Sequence, residues 1–419
     1  FKLIFSVFAS ILSKLWRIRR SSPSASVGGQ PWKDGPAIRD LEEEFKKYLN
    51  VGHAIAFNSG RSALMAILNS LNLEKGSEVL LQAFTCNAVV NPIIWAGLKP
   101  VFVDCDDGSA GSPFNIDFDD LKRILRRAQD KKLKVVIVQH TFGLPTFMNE
   151  ILEVCKSNNL ILIEDCAHSL GAEYENKKVG AFGRAAFFSF SRDKIISSVY
   201  GGIAATNDPS LAEKLRQTQG KFSYPSYWWI FQQLLHPVLM SWIILPTYRI
   251  FGKYLLVLFQ WLHILSKAVH WKEKRGLRPS YFPKRMPNAL AVLALNQFKK
   301  LERFNEHRKE IAKFYRRELE KLSFFQLPPN SEQTYLRFTV KHQRAHEIIK
   351  KAWQKNLLIG DWYTSPIAPR DTRLEKIGYE IGFCPKAEKL SKETFNLPTH
   401  INISEKEAQK IVDFLKPWK

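Results

Sequence analysis

Hydrophobic positions along this chain change period several times, and each change marks an element. Over residues 38–49 (IRDLEEEFKKYL) they recur at helical spacing, and a short apolar run, HAIAF, follows. A helix then opens at Gly60 (GRSALMAILNSL), followed by strand EVLLQ, helix NAVVNPIIWAG and strand KPVFVD. Next come helix FDDLKRILRRAQD, strand KVVIVQH, helix MNEILEVCKSN and strand LILIED. Two further apolar strands, AAFFSF and GGIAATN, flank the polar stretch SRDKIISSVY. Strands and helices alternating at this spacing predict an α/β fold with a doubly wound, mainly parallel sheet. Ligands of such sheets lie beyond the carboxyl ends of the strands. From Pro287 to about residue 321 one long helical pattern runs, and shorter strands and helices then alternate as in a small C-terminal α+β domain.

Two segments break the alternation. Residues 1–20 place apolar side chains at helical spacing, with Ser6, Ser10, Ser13, Arg17 and Arg20 on the other side. That is the pattern of a helix lying on a membrane surface. Its positive charges follow the apolar stretch, whereas a cleaved signal peptide carries them ahead of it. Residues 21–36 (SSPSASVGGQPWKDGP) read as a linker. Residues 224–271 are crowded with Trp, Tyr and aliphatic side chains but divided by Pro237, Pro246, Arg249 and Lys253. Neither half reaches the roughly 20 unbroken apolar residues of a spanning helix. Aromatics mixed with cations suit the headgroup layer, and KEKRGLRPSYFPKR adds positive charge behind them. The alternative is a helical hairpin buried in a subunit interface. The expected organisation is an N-terminal helix and linker (1–36), a large domain (37–223), an apolar membrane-associating insert (224–282), and a long helix with a small domain (283–419).

A chain of 419 residues with 45% hydrophobic content can bury a large and a smaller core. The formal net charge of +22 suits an anionic partner: nucleic acid, a lipid surface or a phosphorylated substrate. The basic residues form no recognisable nucleic-acid reading motif, so that class is set aside. Five scattered cysteines without a CxxC pair argue against a disulfide framework or a zinc site, and for a reducing, cytoplasmic setting.

Candidate chemistry sits where predicted strands end. In NSGRSAL (58–64) a strand meets a helix; free backbone N–H groups could hold an anion there, with Gly60 allowing close approach, although a plain helix cap reads the same way. In LILIEDCAHSLGA (160–172) an acidic pair closes a buried strand. A carboxylate there must meet a cation or a protonated nitrogen, and a pyridinium would serve, as in pyridoxal-phosphate enzymes. His168 could pack on such a ring or bond to its phenolic oxygen, or the Asp-His pair could be a simple loop hydrogen bond. Segment AAFFSFSRDKIISSVYGGIAA delivers Ser189 and then Lys194 between two apolar strands, a setting in which a lysine can be desolvated and form a Schiff base.

With these segments in order, the chain resembles the DegT/StrS-type sugar aminotransferase family, whose fold is that of aspartate aminotransferase. The resemblance rests on SGRSAL, AFTCNAVVNPIIWAGLKPVFVD, QHTFGLP, EDCAHSLGAEYENKKVGAFGRAAFFSFSRDK, the Gly pair, and RMPNALAVLALNQFKKL. It covers about residues 35–220 and 283–419. It implies a fold type I large domain with a seven-stranded sheet, and pyridoxal phosphate carried by Lys194. It implies further that Asp165 pairs with the ring nitrogen, that His168 and Cys86 lie beside the ring, and that Ser189, Gly60, Arg61 and Ser62 hold the phosphate. Lys194 also separates the chain from the dehydratase members, which place His there. Four positions depart from the pattern: Cys86 replaces an aromatic, Arg61 a Thr, Tyr200 an acidic residue and Pro283 an Asn.

The expected activity is transfer of an amino group from glutamate to a keto-sugar, nucleotide- or lipid-linked, by a homodimer without a metal. Residues 1–20 and 224–271 would hold it at the cytoplasmic side of the inner (plasma) membrane. The rivals are another pyridoxal-phosphate reaction on a lipid or acyl substrate, and a non-enzymatic membrane scaffold.

Overall fold

The structure, a computed structural model, describes residues 32–109, 111–127 and 132–419. The amphipathic helix expected over residues 1–20 lies outside them. Seven strands form the central sheet: β1 (His53–Phe57), β2 (Glu78–Gln82), β3 (Lys99–Val103), β4 (Leu133–Gln139), β5 (Ile161–Asp165), β6 (Ala185–Ser189) and β7 (Gly202–Thr206). Their order across the sheet is β1-β7-β6-β5-β4-β2-β3. Only β7 runs against its neighbours, pairing antiparallel with both β1 and β6; the remaining contacts are parallel. This is the mainly parallel seven-stranded sheet of the fold type I enzymes. Because β7 reverses, the connection from β6 begins and ends at the same edge of the sheet. Lys194 sits in that connection.

Helices cover both faces, which is why the strands carry near-continuous apolar runs. Successive side chains on a strand point to opposite faces, and β6 shows it. Phe187 joins the core of Leu64, Ile67, Phe84 and Ile137, while Phe188 joins that of Phe45, Phe190, Ile203 and Leu290. The C-terminal part has a separate core around Ile311, Tyr315, Phe338, Ile348, Phe395 and Ile411, built on the antiparallel pair Arg337–Lys341 and Thr394–Pro398. The long helical pattern from residue 287 is two helices, Asn288–Phe298 and Leu301–Leu319. No Gly or Pro lies at that break, so periodicity alone runs through it.

The apolar segment folds as a helix, Tyr227–Leu239, two π-helical turns, Met240–Ile244 and Tyr248–Gly252, and a second helix, Lys253–Trp261. Among the described residues no helix is long and apolar enough to cross a membrane. Trp229, Ile230 and Leu234 are buried against the body of the protein. The opposite side exposes Trp228, Trp242, Tyr254 and Val257, with Ile250 at 75% and Trp261 at 73% exposure.

The two kinds of aromatic position predict opposite responses. Phe45 is fully buried, its ring 4.7 Å from Phe298 and 5.4 Å from Phe188. Phe45→Ala should destabilise the fold by about 3–5 kcal/mol in denaturant unfolding. Trp261→Ser, on the outer face, should change it by less than about 0.5 kcal/mol.

Candidate active site

Beyond the carboxyl ends of β4, β5 and β6 lies a cleft of about 200 Å³. Gly60, Arg61, Cys86, Asp165, His168, Ser189 and Lys194 all line it, so one cavity collects seven of the eight positions expected from sequence. Ser62 does not face the cleft. Its N–H bonds to the Ser59 hydroxyl at 3.1 Å and its own hydroxyl to Asn58 at 2.6 Å, so it belongs to the helix cap behind the phosphate turn.

The acidic pair ending β5 divides between the two faces of the sheet. Glu164 accepts three backbone N–H bonds, from Gly180, Phe182 and Gly183, at 2.7–2.8 Å, and contacts His140 at 3.3 Å. His140 in turn accepts the Thr146 N–H at 3.2 Å. His140 and Glu164, which with Cys166 lie close together in space, are thereby tied into a protein hydrogen-bond network. Asp165 faces the cleft instead and receives one backbone bond, from Ala167 at 2.9 Å. Burial pushes its carboxyl up to about 6, against the opposing pull of that N–H, Lys194 and His140. A carboxylate so placed calls for a protonated partner in the cleft.

Lys194 enters from the β6–β7 connection, and its Nζ stands 4.7 Å from the centre of the Trp362 indole. Among the described residues it has no carboxylate within ion-pair distance. His168 lies parallel to Trp362, ring centres 5.4 Å apart. Burial, with the charges of Lys194 and Arg337 nearby, holds its imidazole well below the usual range and therefore neutral. Its Nδ1 accepts the Phe142 N–H at 3.3 Å, so Nε2 carries the proton and donates to the Tyr363 hydroxyl at 3.2 Å. Both imidazole nitrogens are thus bonded to protein, and the ring is stacked on Trp362 and on Phe142, whose centre lies 5.7 Å away.

At the other end of the cleft, Ser59 caps helix Gly60–Ser70, leaving the first N–H groups of that helix pointing outward. A Cβ on Gly60 would stand 3.0 Å from that of Ser189, and one on Gly202 only 2.5 Å from the Gly60 nitrogen. The turn, the serine and the Gly pair fit together only without side chains at those two positions. The Arg61 guanidinium turns away, toward Glu273 at 2.5 Å. Cys86 sits at the cleft, its thiol accepting the Ala88 N–H at 3.5 Å and pushed up by burial.

Against known proteins, the profile of the DegT/DnrJ/EryC1/StrS aminotransferase family matches residues 22–228 and 262–416. The chain belongs to this family. The unmatched gap coincides with the exposed apolar hairpin. GDP-perosamine synthase of Caulobacter vibrioides is 37% identical over 196 residues, 46% of this chain and 51% of that protein, so the match spans about half of that relative. A pleiotropic regulatory protein of Geobacillus stearothermophilus is 27% identical across 90% of this chain and 88% of its own length. A DegT DnrJ EryC1 StrS aminotransferase from Brucella abortus superposes with a TM-score of 0.74 at 22% identity, covering 100% of this chain and 96% of the other. The family's cofactor is pyridoxal phosphate, and the residues present fit it. Lys194 can reach an aldehyde, Asp165 a protonated ring nitrogen, His168 the ring face, and Ser189 with the Gly60 and Arg61 N–H groups a phosphate.

Sequence reading missed Trp362 and Tyr363. Both come from the C-terminal part, far from the motif cluster; the Asp-Trp-Tyr run is unusual, but nothing in its spacing ties it to Lys194.

The buried carboxyl yields a measurable consequence without cofactor. With its folded value raised to about 6 from an ordinary 3.8, Asp165 stays protonated in the folded chain while the unfolded chain ionises. Its contribution to stability is therefore lost as pH rises from about 4 to 6, by up to about 3 kcal/mol. Asp165→Asn should remove this loss, so the cofactor-free variant should melt higher than wild type at pH 7 and equally at pH 4, while losing activity.

Proposed function

We propose that the chain is a pyridoxal-phosphate-dependent aminotransferase that moves an amino group from an amino-acid donor, glutamate, to a keto-sugar, nucleotide- or lipid-linked. The observation that carries this reading is that Lys194 and Asp165 open on one cleft whose lining includes the stacked rings of His168 and Trp362. The sugar acceptor is supported by the GDP-perosamine synthase relative.

Pyridoxal phosphate supplies an electron sink that lowers the barrier to removing a proton from the carbon bearing the amino group. Everything else falls to the chain. Lys194 Nζ would take that proton as general base and return it, as general acid, to the carbon on the other side of the amino nitrogen. Asp165 keeps a ring nitrogen protonated, because two buried opposite charges answer one another where either alone is costly. Neutral His168 and Trp362 restrict the orientation of a flat ring without adding charge. Ser189 and the open helix start anchor an anion, which fixes the distance from Lys194 to the reacting carbon.

A homodimer is part of the proposal, as is attachment to the cytoplasmic membrane face through residues 1–20 and the apolar hairpin. The exposed aromatic side of that hairpin, with Lys253, Lys267, Lys272 and Arg275 nearby, has the composition of a headgroup-layer surface.

Lys194→Ala should lose at least about 100-fold in turnover with glutamate and a nucleotide-linked keto-sugar, and lose the visible absorbance of bound cofactor. Retained turnover in that variant would refute the assignment. For the membrane, wild type should float with anionic liposomes in a sucrose gradient; Trp228→Ser/Trp261→Ser should stay at the bottom with turnover unchanged.

A further inference from the structure

The segment that returns from the apolar hairpin carries its own buried contacts to the active site. Residues 266–273 run across the end of the cleft where Gly60 and Ser189 meet, and Ala268 and Val269 form part of the cleft wall. Two of the positions that depart from the family pattern hold this strap. The Arg61 guanidinium reaches the Glu273 carboxylate at 2.5 Å and donates to the Ala268 carbonyl at 3.3 Å. The Tyr200 hydroxyl donates to the Lys267 carbonyl at 2.9 Å. Arg192, two residues ahead of Lys194, donates to the Ser266 carbonyl at 2.6 Å.

Glu273 is fully buried and has few alternatives to Arg61. Its carboxylate also accepts the His270 N–H at 2.8 Å, and its carbonyl accepts from Asn91 at 2.9 Å and Asn87 at 3.3 Å. Arg61 is equally committed, lying 5.3 Å from the Phe282 ring with its side chain 9% exposed. A guanidinium serving as the phosphate's cation would face into the cleft; this one faces the strap. The phosphate end is left to Ser189 and backbone N–H groups.

We propose that the Arg61–Glu273 ion pair is a clamp that closes the phosphate end of the cleft from within one chain, with Glu273 as a positioning residue for cofactor retention. The inference rests on the pyridoxal-phosphate reading of the site. Its physical basis is the asymmetry of buried pairs. Removing one partner strands a charge that must find water, whereas replacing both by apolar groups is close to neutral. A stranded charge here would draw water through the strap to the end of the cleft that holds the phosphate. An intact or apolar pair would not.

That asymmetry sets the test. Wild type, Arg61→Thr, Glu273→Gln and the double variant Arg61→Met/Glu273→Leu are loaded with pyridoxal phosphate, and its release is followed by visible absorbance after gel filtration. Hydrogen exchange of the 266–273 amides is measured on the same proteins without cofactor, with melting curves to confirm folding. Both single variants should release cofactor at least about tenfold faster and exchange the strap faster, and the double variant should return to within about threefold of wild type. Faster release in Arg61→Thr and the double variant, with Glu273→Gln unchanged, would overturn the clamp and make Arg61 a direct phosphate ligand. Unchanged release and exchange in all variants would also overturn it. If wild type takes up no pyridoxal phosphate while exchange still follows the single-versus-double pattern, the reading of the site fails and the clamp on the strap stands.

Discussion

A carboxylate sealed away from water costs several kcal/mol unless a cation or a set of donors answers it. Asp165 has a single backbone N–H within the protein. Its neighbour Glu164, on the opposite face of the same strand, has three. The contrast arises from strand geometry alone, since adjacent residues must point to opposite sides. One acid thereby becomes part of the packing and the other an unanswered charge at the mouth of a cleft. The arrangement around Asp165 supplies what a protonated ring would need: a neutral imidazole held by two hydrogen bonds, an indole stacked on it, and an amine delivered by the β6–β7 connection.

Much of this was legible in the sequence, and the reasons differ from residue to residue. Lys194, Asp165, His168, Ser189 and Gly60 lie at strand ends or in the turns just beyond them, and a parallel sheet brings such positions to one edge whatever the packing elsewhere. Trp362 and Tyr363 are of another kind. They arrive from a segment almost 170 residues after Lys194, without periodicity, and only the docking of the C-terminal part on the large sheet brings them in. Ser62 shows the limit of a correct motif: the phosphate turn is where it was expected, but a helix start needs a cap, and Ser62 is held in that cap. The break at Lys299–Lys300 was invisible because both helices bury the same face of a continuous pattern.

The apolar hairpin has a double character that composition alone could not separate. Its inner side, through Trp229, Ile230 and Leu234, belongs to the main core, while its outer side leaves a crowd of aromatics in water. Exposed apolar surface of this extent is uncommon on a monomeric protein that has no partner for it. The π-helical turns on either side of Pro246 let the chain double back within a few residues, so both helices reach the same outer surface. The hairpin is therefore an addition beside the sheet, in keeping with a family profile that matches on both sides of it, and its returning segment supplies Ala268 and Val269 to the cleft wall.

The departures from the family pattern become intelligible when they are considered together. The arginine at position 61, where the resemblance implies a threonine, places a cation in a buried setting, and on its own it would be strongly unfavourable. Glu273 answers it, and that carboxylate, itself fully buried, is tolerable only because Arg61 is there. Neither residue could be introduced alone without stranding a charge, so the two form a unit spanning the large domain and the strap beyond the hairpin. Tyr200 fits the same account, since an acidic residue at its place would bring another negative charge toward Glu273, whereas the phenol donates to the strap instead. Cys86 is different. With Trp362 and His168 already stacked on each other in the wall of the cleft, an aromatic at position 86 would take up further room beside them, and a small half-buried thiol leaves that room open.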